Sequence, residues 1–179
     1  KHFLLMESSP STLNWKPTSR QKMKGMHKLS SMQAVAHGAD SVQYFQWRQS
    51  RGAAEKFHSA VVSHIGTNNT RVFNDVKEVG ELLEILSNKH NLFGVVDKSE
   101  VAIVYDFENT WALYQAGMPQ NEKKKYQTEC IKHYKSFWKK GIQCDIVSGL
   151  LENIQDYKLV ILPMLYMFRE GVTERIRSY

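Results

Sequence analysis

FLLMESSPSTLNW, residues 3–15, sets one acidic side chain, Glu7, at the end of a short apolar run and directly before a polar, proline-containing turn. The run Phe3 to Met6 is too short for a membrane span or an isolated helix, and it reads as a buried strand stopped by Ser8, Ser9 and Pro10. In the plainest reading Glu7 only marks where that strand meets water. Barrel enzymes, however, place their catalytic groups at the C-terminal ends of buried parallel strands. The choice between the two depends on the elements that follow.

After a long polar loop, Leu29, Met32, Val35 and Ala36 recur at helical spacing and Gly38 ends the pattern. SVQYFQW, from Ser41 to Trp47, is β-branched and aromatic enough for a second strand. RQSRG then turns the chain toward an expected helix carrying Ala54, Phe57, Val61, Val62 and Ile65, and Val72, Val76, Val79, Leu82, Leu83 and Leu86 signal a further one. Strand, helix, strand, helix implies parallel pairing. SNKHNLFGVVDKSE has the Gly, Asn and charge mixture of a linker and marks a domain boundary. Beyond it VAIVYD, GIQCDIV and KLVILP read as strands, and Tyr126, Cys130, Ile131, Tyr134, Phe137 and Trp138 form one apolar helix face. An open α/β sheet binds ligands at its strand ends, here Asp106, but no G-x-G-x-x-G or P-loop follows these strands, so assembly or scaffolding is the expected role.

With 42% hydrophobic and 11% aromatic residues in 179, the chain is globular rather than disordered. It opens on Lys1 without an initiator Met and closes at Tyr179 inside what reads as a new helix, so a fragment is expected. No apolar run approaches the roughly 18 residues of a membrane span, and no secretory leader pattern is present, which points to a soluble protein with no membrane partner. Cys130 and Cys144 are too few for a zinc ribbon, and two ordinary thiols in a reducing compartment are expected, with a single bridge as the alternative. The net charge of +6 includes Lys16, Arg20, Lys22, Lys24 and Lys28 in one segment and Lys123, Lys124 and Lys125 in another. Neither cluster follows a nucleic-acid-binding pattern, so both read as solvated faces with no nucleic-acid partner.

YFQWRQSRGAAEKFH packs Phe45, Trp47, Arg48, Arg51, Glu55 and His58 into a short space. Aromatic faces beside carboxylates and imidazoles suit a sugar, whose C–H faces stack on rings while its hydroxyls take hydrogen bonds. A packed strand and an amphipathic helix is the competing interpretation. Glu55 and His58, three apart, would share a helix face; a di-iron site would need a second Glu-x-x-His copy, which is absent. His37 and His64 have no ligand-like company and read as structural.

FLLMESSPSTLNW, together with GMHKLSSMQAVAHGADSVQYFQWRQSRGAAEKFHSAVVSHIGTNNTRVF, closely resembles the C-terminal part of the catalytic barrel of glycoside hydrolase family 42, the bacterial β-galactosidases. VAIVYDFENTWAL and YKLVILPMLYM are similar to that family's trimerisation domain. The resemblance implies an α/β chain: the last two strand–helix units of a (β/α)8 TIM barrel over residues 1–90, then an incomplete open α/β domain of flavodoxin or amidotransferase type over residues 99–179. It implies retaining hydrolysis of terminal non-reducing β-D-galactose residues from β-galactosides, through a covalent galactosyl-enzyme intermediate. Glu7 matches the family's nucleophile, while Trp15, Phe45, Glu55 and His58 match residues that bind the sugar. No cofactor is implied; a homotrimer of the full-length form and a cytoplasmic location are. The family's acid/base, a Glu after an Asn on barrel strand four, and its cysteine zinc cluster lie outside this sequence, so no metal is assigned. Lys24 stands where many relatives have proline. The alternative is a non-catalytic assembly or sugar-binding remnant, inactive alone because the second carboxyl is missing.

Overall fold

The computed structural model describes residues 3–117 and 119–179. The chain forms two compact units, the first ending at Val96 and the second running from Asp97 to Tyr179.

In the first unit, β1 (Phe3–Ser8) and β2 (Ala39–Tyr44) pair in parallel, with α1 (Met26–Ala36) as the crossover between them. The register runs from Phe3 opposite Ala39 to Ser8 opposite Tyr44, with irregular pairing between Leu5 and Ser8. The apolar spacing read from Leu29 onward does form a helix, and it stops at Ala36 because Gly38 turns the chain at φ 96°. α2 (Arg71–His90) follows the longer apolar pattern. The Thr70 side chain caps it by accepting from the Phe73 amide at 3.2 Å, and Asn91 closes it in the left-handed region at φ 49°. Val79 is its fully buried anchor.

The helix expected from Ala54 through Ile65 does not form. Only one 3-10 turn, Ala54–Phe57, is present, after which the chain extends. The Val61 and Val62 amides donate to the Gln46 and Trp47 carbonyls at 2.9 and 2.7 Å, and Gln49 donates back to Val62 at 2.9 Å. Tertiary pairing thus supplies the backbone bonds that a helix would have supplied. The β-branched pair Val61–Val62 favours the extended form, and the Ser59 hydroxyl donates to the Thr12 carbonyl, 47 positions away, rather than within the segment. The apolar spacing there was not a face: Ala60 and Val61 are buried, while Phe57 and Ile65 are exposed. The second strand is also displaced from its expected span, beginning at Ala39 and ending at Tyr44 rather than Trp47.

The second unit holds β3 (Val101–Tyr105), α3 (Phe107–Gln115), α4 (Tyr126–Trp138), β4 (Cys144–Ser148), β5 (Leu159–Ile161) and α5 (Val172–Ser178). Its three strands are parallel in the order β4-β3-β5. Being central and covered on both faces, β3 is a continuous apolar run, with Ala102, Ile103 and Val104 fully buried. One core gathers Val104, Leu151, Ile154 and Val172; a second gathers Leu113, Tyr126 and Cys130. Both cysteines are free, which sets aside the bridge. α3 has no counterpart in the reading of the sequence. Its start is signalled by Asp106, whose side chain accepts from the Glu108 amide at 2.9 Å.

Candidate functional site

Parallel pairing brings the C-terminal ends of β1 and β2 to one edge. Glu7 is the penultimate residue of β1, exposed, at the irregular part of the pairing. One residue on, the Ser8 carbonyl accepts from the Phe45 amide at 2.9 Å, so Phe45 leaves β2 beside the end of the Glu7 strand.

His58 is the buried centre of this region, 1% exposed. The Trp15 ring stacks on it with centroids 5.0 Å apart and planes at 27°, and Phe45 meets it edge-on at 5.2 Å and 76°. Its Nδ1 lies 2.8 Å from the Ser59 carbonyl. A carbonyl only accepts, so Nδ1 carries the proton and in the neutral ring Nε2 presents a lone pair. That Nε2 is buried and has no hydrogen-bond partner within the chain.

Glu55 sits in the Ala54–Phe57 turn rather than on a helix, and His58 lies just past that turn with extended backbone. The two are not stacked on one helix face as their spacing predicts; they are linked by the His58 amide, which donates to the Glu55 carbonyl at 3.0 Å. Glu55 Oε2 is also buried without a partner. Leaving such polar atoms unpaired is costly unless a ligand or water completes them. The Trp15 and Phe45 rings, His58 Nε2 and Glu55 Oε2 are thus the aromatic faces and unpaired polar atoms of this region.

Two residues that sequence reasoning did not single out tie this region together. Asn14, next to Trp15, donates from Nδ2 to the Ala54 carbonyl, and Ser59, next to His58, bonds to Ser9, Ser11 and Thr12. Only their adjacency to the candidate residues could have drawn attention to them. His64 Nε2 lies 2.7 Å from the Ser50 carbonyl. His27 of α1 is fully buried against the Tyr44 ring, with centroids 4.7 Å apart. Burial, with help from the Lys22 ammonium, pushes its pKa down, against the opposing pull of Asp75 and the Pro10 carbonyl. Among the described residues no group of three or more His, Cys, Asp or Glu is placed to hold a metal ion.

In the second unit, the strand end where open α/β sheets bind ligands is filled by the protein's own groups. Asp106 is buried; one carboxylate oxygen caps α3 and the other lies 3.2 Å from the Arg169 guanidinium. Gly149 passes so close that a Cβ there would meet Asp106 Oδ2 at 1.9 Å. Tyr126, which donates to the Val104 carbonyl and accepts from the Asp106 amide, has its hydroxyl pKa pushed by burial up to about 12.

Residues 1–86 match the family model described as β-galactosidase of glycoside hydrolase family 42, and residues 99–179 match the model described as β-galactosidase trimerisation domain. The β-galactosidase Pbg of Clostridium perfringens is 51% identical over 179 residues, covering all of this chain and 25% of the relative. The β-galactosidase BglY of Alicyclobacillus acidocaldarius is likewise 51% identical, with the same coverage. Among solved structures, the cold-adapted β-galactosidase of Rahnella sp. R3 superposes with a TM-score of 0.91 at 51% identity, covering 99% of this chain and 26% of that one. The chain spans about a quarter of the length of the curated relatives it matches.

Proposed function

Because the chain belongs to glycoside hydrolase family 42, with segments of both the β-galactosidase domain and the trimerisation domain, we propose that the protein carrying it is a retaining β-galactosidase. Glu7 is its nucleophile. The substrate is a β-galactoside, and the reaction removes the terminal non-reducing β-D-galactose. Glu7 attacks the anomeric carbon, the glycosidic oxygen leaves with a proton from an acid carboxyl elsewhere in the full protein, and water then opens the galactosyl ester with retention. Trp15 and Phe45 offer the apolar walls, and Glu55 and His58 take the hydroxyls.

The observation that carries this reading is the convergence on His58: Trp15 and Phe45 lie against its ring, its Nε2 and Glu55 Oε2 are buried with no hydrogen-bond partner in the chain, and the Glu7 strand ends beside Phe45. In this reading the first unit supplies the last two strand–helix units of a (β/α)8 barrel, and the second is the opening part of an open α/β assembly domain. The match to a trimerisation domain supports a homotrimer, and free Cys130 and Cys144 accord with a reducing cytoplasm.

A 2-fluoro-galactoside trap on the full-length protein tests the assignment. We expect the adduct on Glu7 and loss of galactoside turnover by at least three orders of magnitude in Glu7→Ala, as for other nucleophile removals. An adduct on a different carboxylate overturns it.

A further inference from the structure

The three side chains proposed to hold the sugar from the two loops, Trp15, Glu55 and His58, each sit one residue from a cross-loop hydrogen bond. Asn14, beside Trp15, donates from Nδ2 to the carbonyl of Ala54, beside Glu55. Ser59, beside His58, donates from both its amide and its hydroxyl to the Thr12 carbonyl, at 3.1 and 2.9 Å. The same hydroxyl accepts from the Ser11 amide at 2.8 Å and lies 3.1 Å from the Ser9 hydroxyl, while the Ser59 carbonyl orients the His58 ring through Nδ1 at 2.8 Å. These bonds join positions 40 to 50 residues apart in sequence, one set on the loop that follows β1 and the other on the segment that follows β2.

We propose that Asn14 and Ser59 are positioning residues: they staple the two loops so that Trp15, Glu55 and His58 move as one body. This inference rests on the β-galactosidase reading above. The backbone bonds of the segment after β2, in the Ala54–Phe57 turn and between Gln46–Gln49 and Val61–Val62, lie within that segment and do not tie it to the loop after β1, and a binding site tolerates only a fraction of an ångström of drift. Asn14 suits the task chemically because its Nδ2 donates to the Ala54 carbonyl, while its Oδ1 is buried with no hydrogen-bond partner in the chain.

The test is steady-state kinetics on an aryl β-galactoside, using the full-length protein with Asn14→Ala, Asn14→Asp, Ser59→Ala and, as control, Glu7→Gln. Loss of one staple raises KM about five- to tenfold while kcat changes less than about threefold, the size expected from removing one or two hydrogen bonds. Asn14→Asp keeps the shape and settles the matter if the alanine variant fails to fold. Its carboxylate faces the Ala54 carbonyl and raises KM further, and protonating it restores the donor. The ratio of its KM to the wild-type KM therefore falls as pH is lowered, which a merely structural loss would not produce. A KM within twofold of wild type in both alanine variants, or a pH-independent ratio, overturns the staple. Full turnover by Glu7→Gln, or none by the wild type, removes the β-galactosidase reading and this inference with it. A dead Glu7→Gln variant alongside normal KM in the staple variants removes the inference alone.

Discussion

Ala53 holds φ 59° and ψ −165°, a region that glycine occupies freely and a residue with a Cβ does not. It sits directly before the turn that carries Glu55, so the strain is spent at the proposed sugar site. Replacing Ala53 by glycine relieves it at the cost of a more flexible unfolded chain. We expect a net gain of about 1 kcal/mol in unfolding free energy of the full-length protein, measured by chemical denaturation, and a weaker hold on Glu55 seen as a higher KM. A loss of stability on this substitution contradicts the strain. At this scale the sequence announces some residues and hides others. Glu7 stands out as a carboxylate after four apolar residues, but that pattern alone reads as a strand end, and its proposed role comes from the family resemblance; the contact of Phe45 with His58 was legible because the two lie close together in the chain. The link between Glu55 and His58 was read correctly as proximity and wrongly as a helix face. Asn14 was not legible, since nothing near it names a partner in Ala54, 40 positions away.

At the scale of elements, α1 is tied to the sheet through a buried polar contact as well as an apolar one. Ser31 lies 2.8 Å from the Tyr44 hydroxyl and donates to the His27 carbonyl at 2.9 Å, with the His27 ring buried against Tyr44. The His27 pKa lies below its ordinary 6.5, chiefly through burial, so as pH falls the unfolded chain takes the proton first. The stabilisation is complete above about 6.5 and is lost as pH drops toward the folded value. Hydrogen exchange on the full-length protein is expected to show α1 amides losing protection between pH 7.5 and 5, and His27→Asn to flatten that loss. An unchanged pH dependence in the variant would refute the assignment. Elements with strong local patterns were legible: α2 from its apolar period, and β3 from its unbroken buried run. The extended stretch after His58 was not, because AAEKFHSAVVSHI imitates helical spacing while its hydrogen bonds go to Gln46 and Trp47. α3 was missed because its first and fifth residues, Phe107 and Trp111, are exposed aromatics and give no apolar face toward the core.

For the whole molecule, the balance of buried and bare surface matters most. Among the described residues β1 and β2 pair only with each other, so each leaves one edge open, and Leu4 and Met6 are exposed, the latter at 74%. On α3, Phe107, Trp111 and Tyr114 recur at the first, fifth and eighth positions, so they share one face, and all three are exposed. Open edges and aromatic faces of this kind recruit other chains. The 179-residue chain expressed alone is therefore expected to associate at micromolar concentration, which size exclusion with light scattering would read directly; a monomer melting in one sharp transition would contradict it. The two-unit division was legible from the linker composition, whereas the ion pair at the Asp106 strand end was not, because its arginine comes from position 169. The hydrogen bonds between the loops after β1 and β2 also have a consequence for inheritance and engineering. Loops at the rim of a parallel sheet are usually the parts that can be lengthened or exchanged one at a time while the scaffold stays as it is. Here an insertion between Ser9 and Trp15, or a graft of that loop from a distant relative, would strand its partners at Ala54 and Ser59, so the two loops must be traded as a pair.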